Sequence, residues 1–206
     1  ANNGLVLRAF AEQLVGGLPK QGAIVMSDHA NLLALAQTYL NQTQAGTNHL
    51  LVNTTLLPYA SYQRQLHAAA PTLWPAVPPK DQLPPQLDPT VLMAEVSSLA
   101  PSNVIFYLHP SFGFFFESLY LRPEGAVYRL TGYATNEIAP PPLSDDLIRR
   151  NQEYWDGLWT KLEPLVPLAA RGVTDARAVG QWVSRALNHW GVEQQVAGRM
   201  TEAGVC

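Results

Sequence analysis

Side chains able to do chemistry gather at three places, each just after a short apolar run. Ser27, Asp28 and His29 follow residues 22–26; Asn53, Thr54 and Thr55 follow residues 50–52; His109 and Ser111 follow residues 103–108. A carboxylate next to imidazoles can transfer protons or hold a polar ligand, and Asp28, His29 and His109 are the residue types for that work. Asn53 would add a side-chain amide to such a crevice. The competing reading is local. Ser27 or Asp28 caps the helix that follows, and His109 is simply a loop residue before Pro110.

Other chemistries lack their signatures. The stretch Ser27-Asp28-His29-Ala30-Asn31 has no glycine, so it is not a phosphate-cradling loop. Ser111 has Gly113 two residues on, but the sequence contains no complete Gly-x-Ser-x-Gly elbow. The five histidines (His29, His49, His67, His109, His189) and the one cysteine, Cys206, show no zinc-type spacing. No catalytic residue, metal or cofactor is therefore assigned.

The elements that must position these residues follow from periodicity. Residues 4–18 carry apolar side chains at helical spacing, ended by Gly16-Gly17 and Pro19. Residues 22–26 form a continuous apolar run that fits a strand buried on both faces. A helix through Leu32, Leu33, Leu35, Ala36, Tyr39 and Leu40 comes next, then a second buried strand at 49–53 and a helix at 59–69. This alternation predicts a parallel sheet with crossover helices. Seven prolines between 71 and 89 mark an ordered but irregular surface excursion. Asp88 caps a helix with Pro89 at its first position, and residues 103–108 form the third strand. A hairpin of 114–121 with 126–133, turning at 122–125, extends the sheet.

After Pro140-Pro141-Pro142 the chain becomes helical, with Ser144 as a cap and Asp145 and Asp146 in the first turn. Trp155 and Trp159 on that helix and Trp182 on the next read as helix-on-helix packing. The fold class is thus α/β: a Rossmann-like open, mostly parallel three-layer sheet with an antiparallel hairpin at one edge, then a C-terminal helical segment. Residues 1–140 form the sheet domain and 144–206 the helical connector.

The chain of 206 residues is long enough for a real core, and 47% apolar residues against 14% charged argue against disorder. A net charge of −3 without a basic stripe excludes a nucleic-acid partner. No apolar run approaches the length of a membrane helix. The low charge suggests a surface normally covered by a partner or by another part of a longer protein. The aromatic run Phe112, Phe114, Phe115 and Phe116 reads mainly as one buried face plus an edge, with a sugar or lipid groove, or contact with the membrane surface, as the alternative.

Residues 187–203 resemble the opening of a tetratricopeptide repeat: Leu187 four before Gly191, then Gly198 at a turn and Ala203 in a second helix, with Gln194 departing from an expected aromatic. Such repeats need about 34 residues each, so the resemblance implies a chain cut within its first copy. Residues 19–28, residues 50–53 and the stretch Arg122-Pro123-Glu124-Gly125-Ala126-Val127-Tyr128-Arg129-Leu130 are, in this order, similar to the soluble region of bacterial protein O-mannosyltransferase-like membrane glycosyltransferases. Asn151-Gln152-Glu153-Tyr154-Trp155 resembles the aromatic helix before their repeats. The resemblance implies a non-catalytic accessory domain on the extracytoplasmic (periplasmic) face. It would position a substrate or partner, with the rest of the parent membrane protein, or a protein or glycan acceptor, as its partner. The alternative is a free-standing α/β small-ligand-binding protein or enzyme using the Asp28/His29/His109 crevice.

Overall fold

A computed structural model of the chain describes residues 3–20, 22–43, 49–78, 84–109, 118–134, 137 and 139–206. Five strands form one mixed sheet in the order β2-β1-β3-β5-β4. Strand β1 (Ile24–Ser27) is buried along its whole length. It pairs in parallel with β2 (Leu50–Asn53) on one side and β3 (Ile105–Tyr107) on the other. A strand covered on both faces needs no polar alternation, which is why residues 23–26 read as an unbroken apolar run.

The antiparallel edge differs in register from the sequence expectation. Strand β4 is Leu119–Glu124 and β5 is Val127–Gly132, with β5 lying between β3 and β4. Arg122 and Pro123 therefore belong to the strand, and Gly125-Ala126 alone make the turn between paired Glu124 and Val127. Pro123 is tolerated because β4 is an edge strand and can spare a ladder donor. Gly125 takes the turn because its φ is 71°, a left-handed value that costs a glycine nothing. Residues 114–117 of the expected first strand lie outside the described residues.

Helix α1 (Asn3–Gly16) precedes the sheet, and α2 (Ala30–Thr43) joins β1 to β2. A 3-10 turn at Thr54–Leu56, α3 (Ala60–Ala69) and α4 (Pro89–Leu99) lie between β2 and β3. Asp88 caps α4 by accepting the Thr90 N–H at 2.8 Å, with Pro89 at the first helical position as the sequence requires. The start of the connection from α3 to α4 is anchored by one side chain. Trp74 is buried, and its indole N–H donates to Gln63 Oε1 at 2.6 Å.

Helix α5 (Asp145–Leu162) starts at its Ser144 cap, which accepts the Leu147 N–H. After Pro164 come α6 (Val166–Ala170), the long α7 (Thr174–Val196) and the short α8 (Met200–Ala203), with Gly198 at φ 76° between the last two. At Gly191 a Cβ would stand 3.1 Å from Cys206 Cβ and 3.5 Å from the Ala203 carbonyl oxygen, so this glycine permits the close approach of the chain end. Helix α1 packs on both α2 and α7. Buried Ile24, Phe106 and Val127 of the sheet share one continuous apolar cluster with Ile148, Trp155, Val183 and Trp190 of the C-terminal helices.

The three tryptophans do not form the single packing set expected of them. Trp155 is buried, but Trp159 is 56% exposed. Trp182 stacks on Phe10 of α1, with ring centroids 5.5 Å apart. Among the described residues no helix is long and apolar enough to cross a membrane.

Candidate functional site

The connection from β1 leads outward to β2, and the chain then returns past β1 to place β3 on its other side. The carboxyl ends of β1 and β3 thus lie side by side where the strand order turns back, the place where open α/β sheets bind ligands. Ser27 ends β1, Asp28 and His29 follow it, and His109 stands two residues beyond β3.

These side chains form one hydrogen-bonded chain. Ser27 Oγ lies 3.1 Å from His109 Nδ1, and His109 Nε2 lies 2.6 Å from Asp28 Oδ1. Burial depresses the His109 pKa below the ordinary histidine value; Asp28 opposes the shift, and the neighbouring His29 and Arg185 add to it. A neutral imidazole has one donor and one acceptor nitrogen. An ionised Asp28 can only accept, so Nε2 carries the proton and Nδ1 accepts from the Ser27 hydroxyl. Ser27 Oγ in turn accepts the His29 N–H at 2.9 Å, which fixes the turn into α2.

Serine, histidine and aspartate in sequence suggest a nucleophilic triad, but the exposure runs the wrong way. Ser27 is fully buried, while the Asp28 side chain is 43% exposed. A nucleophile must meet its substrate, and here the carboxylate faces outward. Ser27 orients His109, and His109 orients Asp28.

His29 forms the second wall. Its ring stands edge-on to His109, with centroids 6.0 Å apart, and edge-on to Trp182 at 5.6 Å. The Trp182 indole N–H reaches His29 Nε2 only at a long 3.5 Å. His29 Nδ1 is buried without a hydrogen-bond partner among the described residues. Behind the site, Tyr107 lies against the His109 ring at 5.3 Å, and its hydroxyl is 3.1 Å from Thr54 Oγ1.

The structure brings Asp28, His29 and His109 together. Asn53 is directed elsewhere: its Oδ1 accepts the N–H of Thr55 at 3.1 Å and the Thr55 hydroxyl at 2.8 Å, capping the 3-10 turn. Ser27 accepts the His29 N–H at the entrance to α2, and Asp28 reaches across to His109. Ser111 and the aromatic run from Phe112 to Phe116 lie outside the described residues.

Sequence reasoning missed Tyr107, Trp182 and Arg185. Tyr107 reads as one more β-prone residue in a buried strand. Trp182 and Arg185 share a face of α7 at i and i+3, but nothing local in sequence ties that face to a strand end some 150 residues earlier. Among the described residues, no group of three His, Cys, Asp or Glu is placed to hold a metal ion. No protein-family model, curated protein or solved structure matches this chain.

Proposed function

We propose that this chain is a non-catalytic positioning domain of a membrane-bound glycosyltransferase-like protein, and that it holds a hydroxyl-rich ligand in the crevice at the ends of β1 and β3. The carrying observation is the Ser27–His109–Asp28 chain, buried at its serine end and solvent-exposed at its carboxylate end. A fixed carboxylate accepts hydroxyl hydrogen bonds at a defined angle, and an imidazole donor behind it holds that angle. The half-buried Trp182 beside His29 offers an aromatic surface to the apolar face of a sugar ring. The sheet is read as Rossmann-like on its strand order. The extracytoplasmic location and the partnership with a glycan or protein acceptor rest on the resemblance of residues 19–28, 50–53 and 122–130.

The test is a titration with methyl mannoside. Indole fluorescence and the imidazole resonances of His29 and His109 should shift together in the parent chain and stay still in Asp28→Asn. Silence of both probes at saturating sugar would sink the reading.

A second reading, a free-standing enzyme or small-ligand binder using the same crevice, draws on the 2.6 Å Asp28–His109 contact, which is short enough for proton transfer. It differs in expecting turnover with the isolated chain, lost in both Asp28→Asn and His109→Gln.

A further inference from the structure

The β4–β5 hairpin carries an arrangement that the strand-end crevice does not explain. Arg122 and Arg129 are direct cross-strand partners in the antiparallel ladder, so both guanidinium stems rise from the same face of the sheet. Like charges placed opposite each other in a ladder destabilise it. Arg150, from α5, lines the same cavity of about 410 Å³, together with Glu124, Asn151 and Tyr154. Three of the chain's thirteen basic residues thus converge on one hollow that holds a single acid.

The counter-charges present are too few and too far. Arg122 reaches Glu124 only at 3.5 Å, and its Nε is buried without a partner among the described residues. Arg150 leans on Asp146 at 3.3 Å, outside the cavity lining. Arg129 makes no ion pair among the described residues. The scaffold around them is fixed. Asn151, itself buried, accepts the Gly125 N–H at 2.8 Å and donates to the Pro123 and Leu147 carbonyls at 3.0 and 2.9 Å. This clamp holds α5 against the hairpin and keeps the three arginines on two rigid elements.

We propose that this cavity binds the phosphate group of a small phosphorylated molecule. Guanidinium forks arriving from a sheet and from a helix suit a tetrahedral group with several charged oxygens, whereas a planar carboxylate is satisfied by one fork. The volume exceeds a bare phosphate and falls in the range of small-molecule sites, leaving room for the esterified part. The bound anion would offset the Arg122–Arg129 repulsion.

The experiment is calorimetric titration of the whole chain with inorganic phosphate and with glycerol 3-phosphate, alongside flotation with phosphatidylcholine vesicles with and without phosphatidic acid. Binding of the soluble ester assigns a free phosphorylated metabolite, and binding of the phosphatidic acid vesicles alone assigns a lipid headgroup. Either should weaken with added salt. Arg129→Gln and the exposed Arg150→Gln should each reduce affinity about tenfold, while Arg149→Gln, on the same helix but outside the cavity, should not. Arg129→Gln should also raise the denaturation midpoint, which an arginine with a purely structural role would not do. Absence of binding to both phosphates and to the vesicles, or unchanged affinity in Arg129→Gln and Arg150→Gln, overturns the proposal. Neither result bears on the crevice at Asp28.

Discussion

His109 Nε2 stands 2.6 Å from Asp28 Oδ1, joining the residue after β1 to the loop after β3 across the point where the strand order turns back. This contact converts two separate strand ends into one site. It also makes the site sensitive to the protonation of a buried imidazole.

Stability should fall as the solution is acidified through the histidine range. Burial lowers the pKa values of His109, His49 and His189 below the 6.5 of a free side chain. Below that value the unfolded chain takes up protons that the folded chain refuses, so stability is full above it and declines towards the folded pKa values. Half-buried Glu95 and Glu193 act in the opposite direction, because their raised pKa values favour the folded state once they are protonated, at lower pH. Urea midpoints should therefore drop from about pH 7 to about pH 5.5, and His109→Gln should make that drop shallower. An identical slope in the variant would separate His109 from the effect.

Ser27→Ala should behave as a loss of structure, not of a nucleophile. It removes the acceptor of the His29 N–H and the donor to His109 Nδ1, both buried or half-buried. A cost of about 1–3 kcal/mol is expected in chemical denaturation. A fluorophosphonate probe should leave Ser27 unlabelled, since the residue is fully buried. Labelling at Ser27 would reverse the roles assigned to serine and aspartate.

Two glycines with similar backbone angles should differ in their tolerance of alanine. Gly125 has φ 71°, and a Cβ there would stand 2.9 Å from the Tyr154 ring; Gly198 has φ 76° and open space around it. Gly125→Ala should cost about 2–4 kcal/mol, combining backbone strain with overpacking, and Gly198→Ala about 1 kcal/mol. Equal losses in thermal or urea unfolding would mean that the Tyr154 ring moves aside freely.

Gln63 should prove the most sensitive polar residue outside the site. It is fully buried, donates to the Leu57 carbonyl at 3.0 Å and to Glu95 Oε2 at 2.9 Å, and accepts from the Trp74 indole. Gln63→Ala leaves buried groups unpaired and should cost about 3 kcal/mol. Burial raises the Glu95 pKa, so an ionised Glu95 weighs against the folded state. Glu95→Gln should then be neutral or stabilising at about pH 7, with the difference shrinking as the pH falls and Glu95 itself becomes neutral. A clear loss of stability at neutral pH would show that the charge is needed.

The sequence by itself determined what is local. The unbroken apolar run at 23–26 announced a strand covered on both faces, and Asp88-Pro89 and Ser144 marked helix starts that the structure reproduces. Those signals lie within a few residues of what they specify, because capping and periodic burial are short-range effects. The polar residues at the strand ends were legible for the same reason. Tertiary structure alone decided what they do. It turned Asn53 back onto Thr55, sealed Ser27 beneath His109, brought Trp182 from α7 to His29, and set Arg122 opposite Arg129 by a turn two residues shorter than expected. Each of these depends on which elements become neighbours. Neighbourhood is settled by packing across the whole core, and no window of the sequence contains that information.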